Sequence, residues 1–251
     1  MSGHSKWSSI KHKKGAADAK RGKLFTKLTR SIIVAAKEGG GDPSGNASLQ
    51  AAIDKAKSYS MPKENIDRAI AKGAGSAADS DNFEAIVYEG YGPEGVAVIV
   101  EALTDNRNRT ASDVRHAFAK FGGNLGTTGA VAWQFERRGV VVVSAEGVDE
   151  DELLLAAADG GADDLERDGD VFQGTTAPES LAAVRAAIQA AGFAVESAEL
   201  SLVPKTTVAV DDEAKAKQLM RLIDELEDND DVQEVYANFD IPEQILETVT
   251  A

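Results

Sequence analysis

The spacing of apolar residues divides the chain into a helical first part and a mixed second part. Between residues 16 and 38, apolar side chains recur every three or four positions, as at Leu24, Leu28 and Ile32, which is the period of one helix face. Two shorter segments with the same period follow, and each ends at small or turn-forming residues. The pattern predicts a bundle of three short helices within residues 1–76.

Beyond a small, polar linker at 75–82, the period changes to two, which is typical of β-strands. Strands and helices then alternate as far as residue 240. The predicted strands are 83–88, 96–103, 131–135 and 140–144, an irregular pair at 165–173, and 195–203, 206–210 and 232–239. The predicted helices among them are 110–121, 150–159, 178–191 and 213–226.

Residues 139–203 spell β-α-β-β-α-β, the split βαβ unit of ferredoxin-like domains. The segments on either side do not complete a sheet layer alone, so the simplest arrangement inserts one domain into another. We therefore predict an α+β multidomain fold: an N-terminal three-helix bundle plus two α/β (split βαβ, ferredoxin-like) domains, the last inserted into the second. The predicted boundaries are 1–76 for a basic helical domain with an N-terminal arm, 77–136 and 205–240 for a discontinuous α/β domain, 137–204 for the inserted α/β domain, and 241–251 for a tail.

Charged residues are also distributed unevenly along the chain. The first 75 residues hold 15 Lys/Arg against 6 Asp/Glu, whereas the remaining 176 hold 12 against 36. The formal net charge of −15 therefore combines a basic N-terminal segment with a strongly acidic remainder. Acidic surface is repelled by phosphate, while a concentrated basic segment is attracted to it and releases counterions on binding. This segregation favours a nucleic acid, DNA or RNA, as the partner.

The basic arm and the first helix hold the candidate binding residues. Residues 1–37 contain ten Lys/Arg and one acidic residue, whereas a helix tuned for solubility alone would intersperse glutamates. The predicted nucleic-acid contacts are Lys6, Trp7, Lys11, His12, Lys13, Lys14, Lys20, Arg21, Lys23, Lys27 and Arg30. The alternative interpretation is a solvated basic face. Trp7 could stack on bases or anchor the arm on the bundle.

A second candidate lies between a predicted strand and a helix N-terminus, at residues 104–110. It could bind phosphate or a partner through Asn106, Arg107, Asn108 and Arg109 beside exposed helix amides. The alternative is a capped turn whose arginines pair with the surrounding carboxylates. The glycine-rich stretch 122–129 lacks the Lys-Ser/Thr of a P-loop, so it predicts a connection rather than a nucleotide cradle.

The sequence carries no catalytic or metal-binding pattern. Cysteine is absent, the three histidines have no partner at metal-ligand spacing, and neither a nucleophile elbow nor an HExxH helix occurs. We expect a non-enzymatic protein without cofactor or metal. No apolar stretch is long enough to span a bilayer, and no signal-peptide pattern opens the chain. These features predict a cytoplasmic protein with no membrane partner, and a monomer is favoured.

Seven short motifs resemble the YebC/PmpR family. They are SGHSKW at 2–7, KHKK at 11–14, DAKRGK at 18–23, FTK at 25–27, MPKENI at 61–66, YEGYGP at 88–93 and TDNRNRT at 104–110. The resemblance spans nearly the whole chain. It implies a helical N-terminal domain and two α/β domains, the last inserted into the second.

For function, the resemblance implies a probable transcriptional regulator that binds DNA in the cytoplasm and has no enzymatic activity. Mitochondrial relatives in this family are translational activators. Bacterial members have been linked to ribosomes that stall on difficult peptides such as proline runs. The alternative is therefore a ribosome-associated translation factor that binds ribosomal RNA, and the choice between DNA and RNA stays open.

Overall fold

The computed structural model describes the backbone of residues 18–75 and 83–250, and the side chains of all of these except 18–21, 168 and 250. The helices are α1 (Asp18–Gly39), α2 (Ala47–Ser58), α3 (Lys63–Ala74), α4 (Arg107–Lys120), α5 (Glu150–Asp159), α6 (Leu181–Ala190), α7 (Glu213–Asp228) and α8 (Glu243–Thr250). The strands are β1 (Glu84–Tyr91), β2 (Ala97–Thr104), β3 (Asn124–Leu125), β4 (Phe135–Ser144), β5 (Ala162–Asp168), β6 (Val171–Thr176), β7 (Val195–Pro204), β8 (Val208–Ala209), β9 (Val232–Ala237) and β10 (Phe239–Asp240). None of the helices within these ranges is long and apolar enough to cross a membrane.

Helices α1, α2 and α3 form the predicted bundle around a shared apolar core that includes Ile32, Leu49 and Ile66. The end of α1 is tied to the start of α2 by the buried Asn46. Its side-chain oxygen accepts the N–H of Leu49 at 3.0 Å, which caps α2, and its amide nitrogen donates to the carbonyl of Ala35 at 2.7 Å. A single polar residue therefore fixes the turn between the first two helices.

The middle domain is a four-stranded antiparallel sheet in the order β3-β1-β2-β9. Helices α4, α7 and α8 cover one face and share a core with the sheet that includes Val98, Phe118 and Leu222. Strand β9 pairs with β2 although the whole inserted domain lies between them in sequence. The predicted α+β multidomain fold, with one α/β domain inserted into another, is confirmed.

The segment 241–251, which the sequence predicts as a tail, contains helix α8. Leu246 on this helix is fully buried in the middle-domain core, and Ile245 and Val249 pack against the same core. A helix of eight residues is not stable by itself, so its short pattern is no reliable signal in the sequence. Packing against α7 stabilises it here.

The inserted domain is a second antiparallel sheet, in the order β5-β6-β4-β7, with α5 and α6 packed on one face. The sequence predicts two strands, 131–135 and 140–144, with a turn at 137–139, and this is wrong. The chain instead forms a short 3₁₀ turn at Ala132–Gln134 and then one long strand, β4. Gly139 lies inside that strand, and the position requires glycine because a Cβ there would stand 2.6 Å from Thr176 Cγ2. It serves close packing, not a turn.

A buried carboxylate holds the connection that leads into β4. One oxygen of Glu89 accepts the N–H of Gly129 at 2.7 Å, and the other accepts those of Val131 and Ala132, both at 2.8 Å. Burial raises the pKa of Glu89, but the three N–H donors outweigh it and lower the pKa below its ordinary value. The turn that carries the exposed Trp133 is therefore anchored to β1.

Candidate nucleic-acid interface

The predicted nucleic-acid contacts fall into three groups. Six of them, Lys6, Trp7, Lys11, His12, Lys13 and Lys14, lie outside the described residues. Lys20 and Arg21 belong to the first turn of α1, and their side chains are likewise not among those described. Lys23, Lys27 and Arg30 are described, and they share one face of α1 at intervals of four and three residues.

This face of α1 contacts the C-terminal end of α7. Lys23 Nζ donates to the carbonyl of Asp228 at 3.2 Å and lies 3.6 Å from its carboxylate, and Lys27 Nζ donates to the carbonyl of Glu227. The last carbonyls of a helix have no partner within the helix and carry the negative end of its dipole. The two ammonium groups donate hydrogen bonds to these carbonyls and offset the negative charge at the end of the helix dipole.

Arg30 contacts the residues that follow α7. Its Nη1 donates to the carbonyl of Asp230 at 2.7 Å and to Oδ1 of Asp231 at 2.8 Å. The guanidinium carbon also lies 5.2 Å from the ring centroid of Phe83, a cation–π contact. The first helix is thus joined to the start of the middle domain as well as to the end of α7.

Asp231 accepts hydrogen bonds from the helical domain and from the middle domain. Its side chain is only 5% exposed, and besides Arg30 it accepts hydrogen bonds from Arg109 at 2.7 Å, Thr110 at 2.8 Å and Thr104 at 3.2 Å. Burial raises the pKa of Asp231, but the bonds from Arg109, Thr110 and Arg30 lower it overall. The carboxylate therefore stays ionised while buried, and it links α1, α4 and β2.

The second candidate, residues 104–110, forms the start of α4. Asn106 is the N-cap, and its side-chain oxygen accepts the N–H of Arg109 at 3.1 Å. The N–H of Asn106 in turn donates to Thr104 Oγ1 at 2.9 Å. Asn108 is exposed in the first turn. Part of this polar segment therefore serves to begin the helix.

Both arginines of this segment contact carboxylates. Arg109 lies 2.8 Å from Asp105 and 2.7 Å from Asp231, and Arg107 lies 3.7 Å from Glu84. The hydrogen bonds to Asp231 and then to Asp105 raise the pKa of Arg109. A phosphate would have to compete with these carboxylates, and the assignment of a ligand to this segment stays a prediction.

Lys55, which the sequence analysis did not single out, lies where all three domains meet. From α2 its ammonium group pairs with Glu234 on β9 and stands 3.0 Å from Glu199 on β7. Burial lowers the pKa of Lys55, but the charges of Glu234 and Glu199 raise it well above its ordinary value. Nothing in the local pattern around position 55 distinguishes this lysine from a surface one, since its partners are more than 140 positions away in sequence.

A cleft of about 480 Å³ lies between α1 and the end of α7. It is lined by five aspartates, three cations and one asparagine: Asp105, Asp113, Asp228, Asp230, Asp231, Lys23, Arg30, Arg109 and Asn229. This lining brings no nucleophile together with a base. Among the described residues, no group of His, Asp and Glu side chains is arranged to hold a metal ion.

Family models match both parts of the chain. The model described as the TACO1/YebC protein N-terminal domain matches residues 5–76, which include the basic arm and the helical bundle. The model described as the TACO1/YebC second and third domain matches residues 83–239, which include both sheets.

Individual relatives agree with these matches. A "probable transcriptional regulatory protein" of Rubrobacter xylanophilus is 58% identical over 249 residues, which is 99% of each chain. A protein of the same name in Syntrophobacter fumaroxidans is 56% identical over 249 residues, or 99% of this chain and 100% of that one. The crystal structure of a conserved hypothetical protein from Aquifex aeolicus superposes with a TM-score of 0.83 at 50% identity, covering 91% of this chain and 94% of that chain. On both sequence and fold, this chain belongs to the TACO1/YebC family.

Proposed function

We propose that this protein is a non-enzymatic, nucleic-acid-binding regulator of gene expression in the cytoplasm, and that it acts on transcription by binding DNA. The observation that carries the proposal is the segregation of charge, with 15 Lys/Arg against 6 Asp/Glu in residues 1–75 and 12 against 36 in the rest. The names of the relatives, "probable transcriptional regulatory protein", support the regulatory role.

The charge distribution determines which part of the molecule approaches nucleic acid. Phosphates are repelled by the acidic α/β domains and attracted to the helical domain. Within that domain, Lys23, Lys27 and Arg30 already contact the end of α7. The proposal therefore assigns the first phosphate contacts to the basic residues that precede them, from Lys6 to Arg21.

The residue types in this segment predict how sequence-selective the binding is. Lysine contacts phosphate as a point charge, whereas base edges are read mainly by Arg, Asn and Gln. Residues 1–29 contain one arginine, Arg21, and neither Asn nor Gln. We expect salt-sensitive binding with weak dependence on base sequence.

The same composition favours a second candidate function. Folded RNA is recognised through shape, phosphate and ribose contacts more than through a base code. A ribosome-associated translation factor that binds ribosomal RNA would need no more base-reading side chains than this segment has. The two candidates differ in the polyanion and not in the binding surface.

The experiment that tests both is a fluorescence-anisotropy titration of a labelled DNA duplex and an RNA duplex of matched sequence at several salt concentrations. Replacing Lys11, Lys13, Lys14 and Lys20 with Glu should weaken binding by about tenfold or more and flatten its salt dependence. The control replaces Arg115, Arg185, Lys217 and Arg221 with Glu; all four are exposed on the α/β domains, and the change in net charge is the same.

Unchanged binding in the Lys11, Lys13, Lys14 and Lys20 variant, or an equal loss in the control, would contradict the proposal. Tighter binding to RNA, together with salt-sensitive co-sedimentation with ribosomes in lysate, would favour the translation factor. Binding to the DNA duplex without such co-sedimentation would favour the transcriptional regulator.

A further inference from the structure

We propose that the acidic C-terminal end of α7 occupies the basic face of α1 in place of nucleic-acid phosphate, and that bound nucleic acid displaces it and releases the helical domain. This inference rests on the proposed nucleic-acid binding and adds its regulation. We call the contact of Lys23, Lys27 and Arg30 with residues 227–231 the clasp.

The clasp offers α1 the same chemistry as a phosphate backbone. It includes the carbonyl oxygens of Glu227, Asp228 and Asp230 and the carboxylates of Asp228 and Asp231. The carbonyls of Glu227 and Asp228 lie at the negative end of the α7 dipole, and the carboxylates of Asp228 and Asp231 add full negative charges. Since phosphate oxygens accept the same hydrogen bonds from Lys and Arg, the two ligands compete for one set of donors.

The helical domain contacts the α/β domains through polar and charged groups, so phosphates can compete for these contacts. The apolar core around Ile32 and Leu49 contains residues of α1, α2, α3 and their connections alone. In the described parts of the chain, no buried apolar cluster joins this core to those of the α/β domains. Exposed ion pairs such as Lys23–Asp228 are weak and are screened by salt. A polar interface between domains is one that permits relative motion.

Release leaves the buried Asp231 well supported. When Arg30 departs, the carboxylate keeps its hydrogen bonds from Arg109, Thr110 and Thr104, all of which belong to the middle domain. A buried carboxylate without partners would oppose the open state strongly. Because three partners remain, the middle domain is stable with α1 docked or undocked.

Lys55 is the second attachment point, and it too is ionic. Its ammonium group must leave Glu234 and Glu199 for the helical domain to move away from both α/β domains. The carboxylates left behind repel one another, so release here needs a polyanion or high salt and does not occur freely. In the absence of nucleic acid, the arrangement with the helical domain docked on the α/β domains is therefore favoured.

The experiment measures domain separation and binding in the full chain. The sequence has no cysteine, so single cysteines introduced as Ser48→Cys on α2 and Ala182→Cys on α6, both exposed, can carry a donor and an acceptor dye. Titration with the DNA duplex, and separately with the RNA duplex, should lower the energy-transfer efficiency in parallel with binding measured by anisotropy.

Weakening the clasp should then tighten binding. Asp228→Asn with Asp230→Asn leaves the backbone carbonyls in place and removes two exposed charges. We expect affinity for the duplex to rise roughly threefold to tenfold, the factor that corresponds to a pair of weak surface interactions. The matched control, Asp151→Asn with Asp159→Asn on α5, makes the same change in net charge away from the clasp and should change affinity by less than about twofold.

The outcomes separate this inference from the proposed function. Binding with unchanged energy transfer, or equal affinities for the clasp variant and its α5 control, would overturn the inference and leave nucleic-acid binding intact. Absence of binding to both duplexes at low salt would overturn the proposed function, and the inference with it.

Discussion

Arg30 and Asp231 lie 201 positions apart in the sequence, and their side chains form an ion pair with Nη1 2.8 Å from Oδ1. The side chain of Arg30 is 19% exposed and that of Asp231 is 5% exposed, so this pair is far more buried than Lys23–Asp228. Removing Asp231 would leave Arg30 and Arg109 without the buried carboxylate that both of them contact. Asp231 therefore matters to the middle domain as well as to the docking of α1.

Replacing Asp231 with Ala should lower the free energy of unfolding by about 3 kcal/mol, because Arg109, Thr110 and Arg30 lose a buried ionised partner. Urea unfolding followed by circular dichroism measures the change. Asp230→Ala is the matched control: that side chain is exposed, while its carbonyl still accepts from Arg30. The control should stay within about 0.5 kcal/mol of the parent, and equal losses in the two variants would refute the assignment.

The lowered pKa of Asp231 makes stability depend on pH. Its folded pKa lies below the ordinary value of 3.8, so its stabilisation is present above that value and is lost as the pH falls through the folded pKa. Urea unfolding from about pH 6 down to about pH 3 should show a loss of stability that is shallower in Asp231→Asn. Identical pH profiles for the two proteins would show that Asp231 has no such role.

Replacing Glu89 should destabilise the protein about as much as replacing Asp231, although no ion pair joins Glu89 to another described residue. Glu89→Ala leaves the buried N–H of Val131, and those of Gly129 and Ala132, without their acceptor and should cost about 2–4 kcal/mol. Glu89→Gln keeps one oxygen and should cost about half as much. Fluorescence of Trp133 in a Trp7→Phe background reports on this turn, since the chain has two tryptophans. A spectrum unchanged in Glu89→Ala would show that the carboxylate does not hold the turn.

Two helical glycines should respond to alanine with opposite signs. Gly73→Ala places a Cβ 2.8 Å from Ala36 Cβ and in collision with the carbonyl of Ile33, so it should destabilise the helical bundle by about 1–3 kcal/mol. Gly22 on α1 has no described atom within 4 Å of the same position. Gly22→Ala should stabilise by about 0.5–1 kcal/mol through helix propensity. Thermal unfolding of both variants checks the sign, and a stabilised Gly73→Ala would contradict the close packing of α1 and α3.

Local patterns predicted most of the elements because helices and strands have periods that can be read over about ten residues. The bundle, the discontinuous middle domain and the inserted domain all follow from those periods. The predictions failed where the same residue types occur in more than one kind of structure. Gly139 is typical of a turn, but in β4 it admits the side chain of Thr176. The apolar residues of α8 are too few to predict a helix until the core beneath them is known.

The sequence by itself determined that the N-terminal segment is basic and the remainder acidic, because this is a property of composition. It also determined the family resemblance. Composition cannot say which acceptor a given cation meets. The clasp joins Lys27 to a carbonyl 200 positions away, and Lys55 meets Glu199 and Glu234 from two different strands. Such contacts depend on how the domains dock, so only the tertiary structure decided which part of the basic surface is occupied by the protein itself.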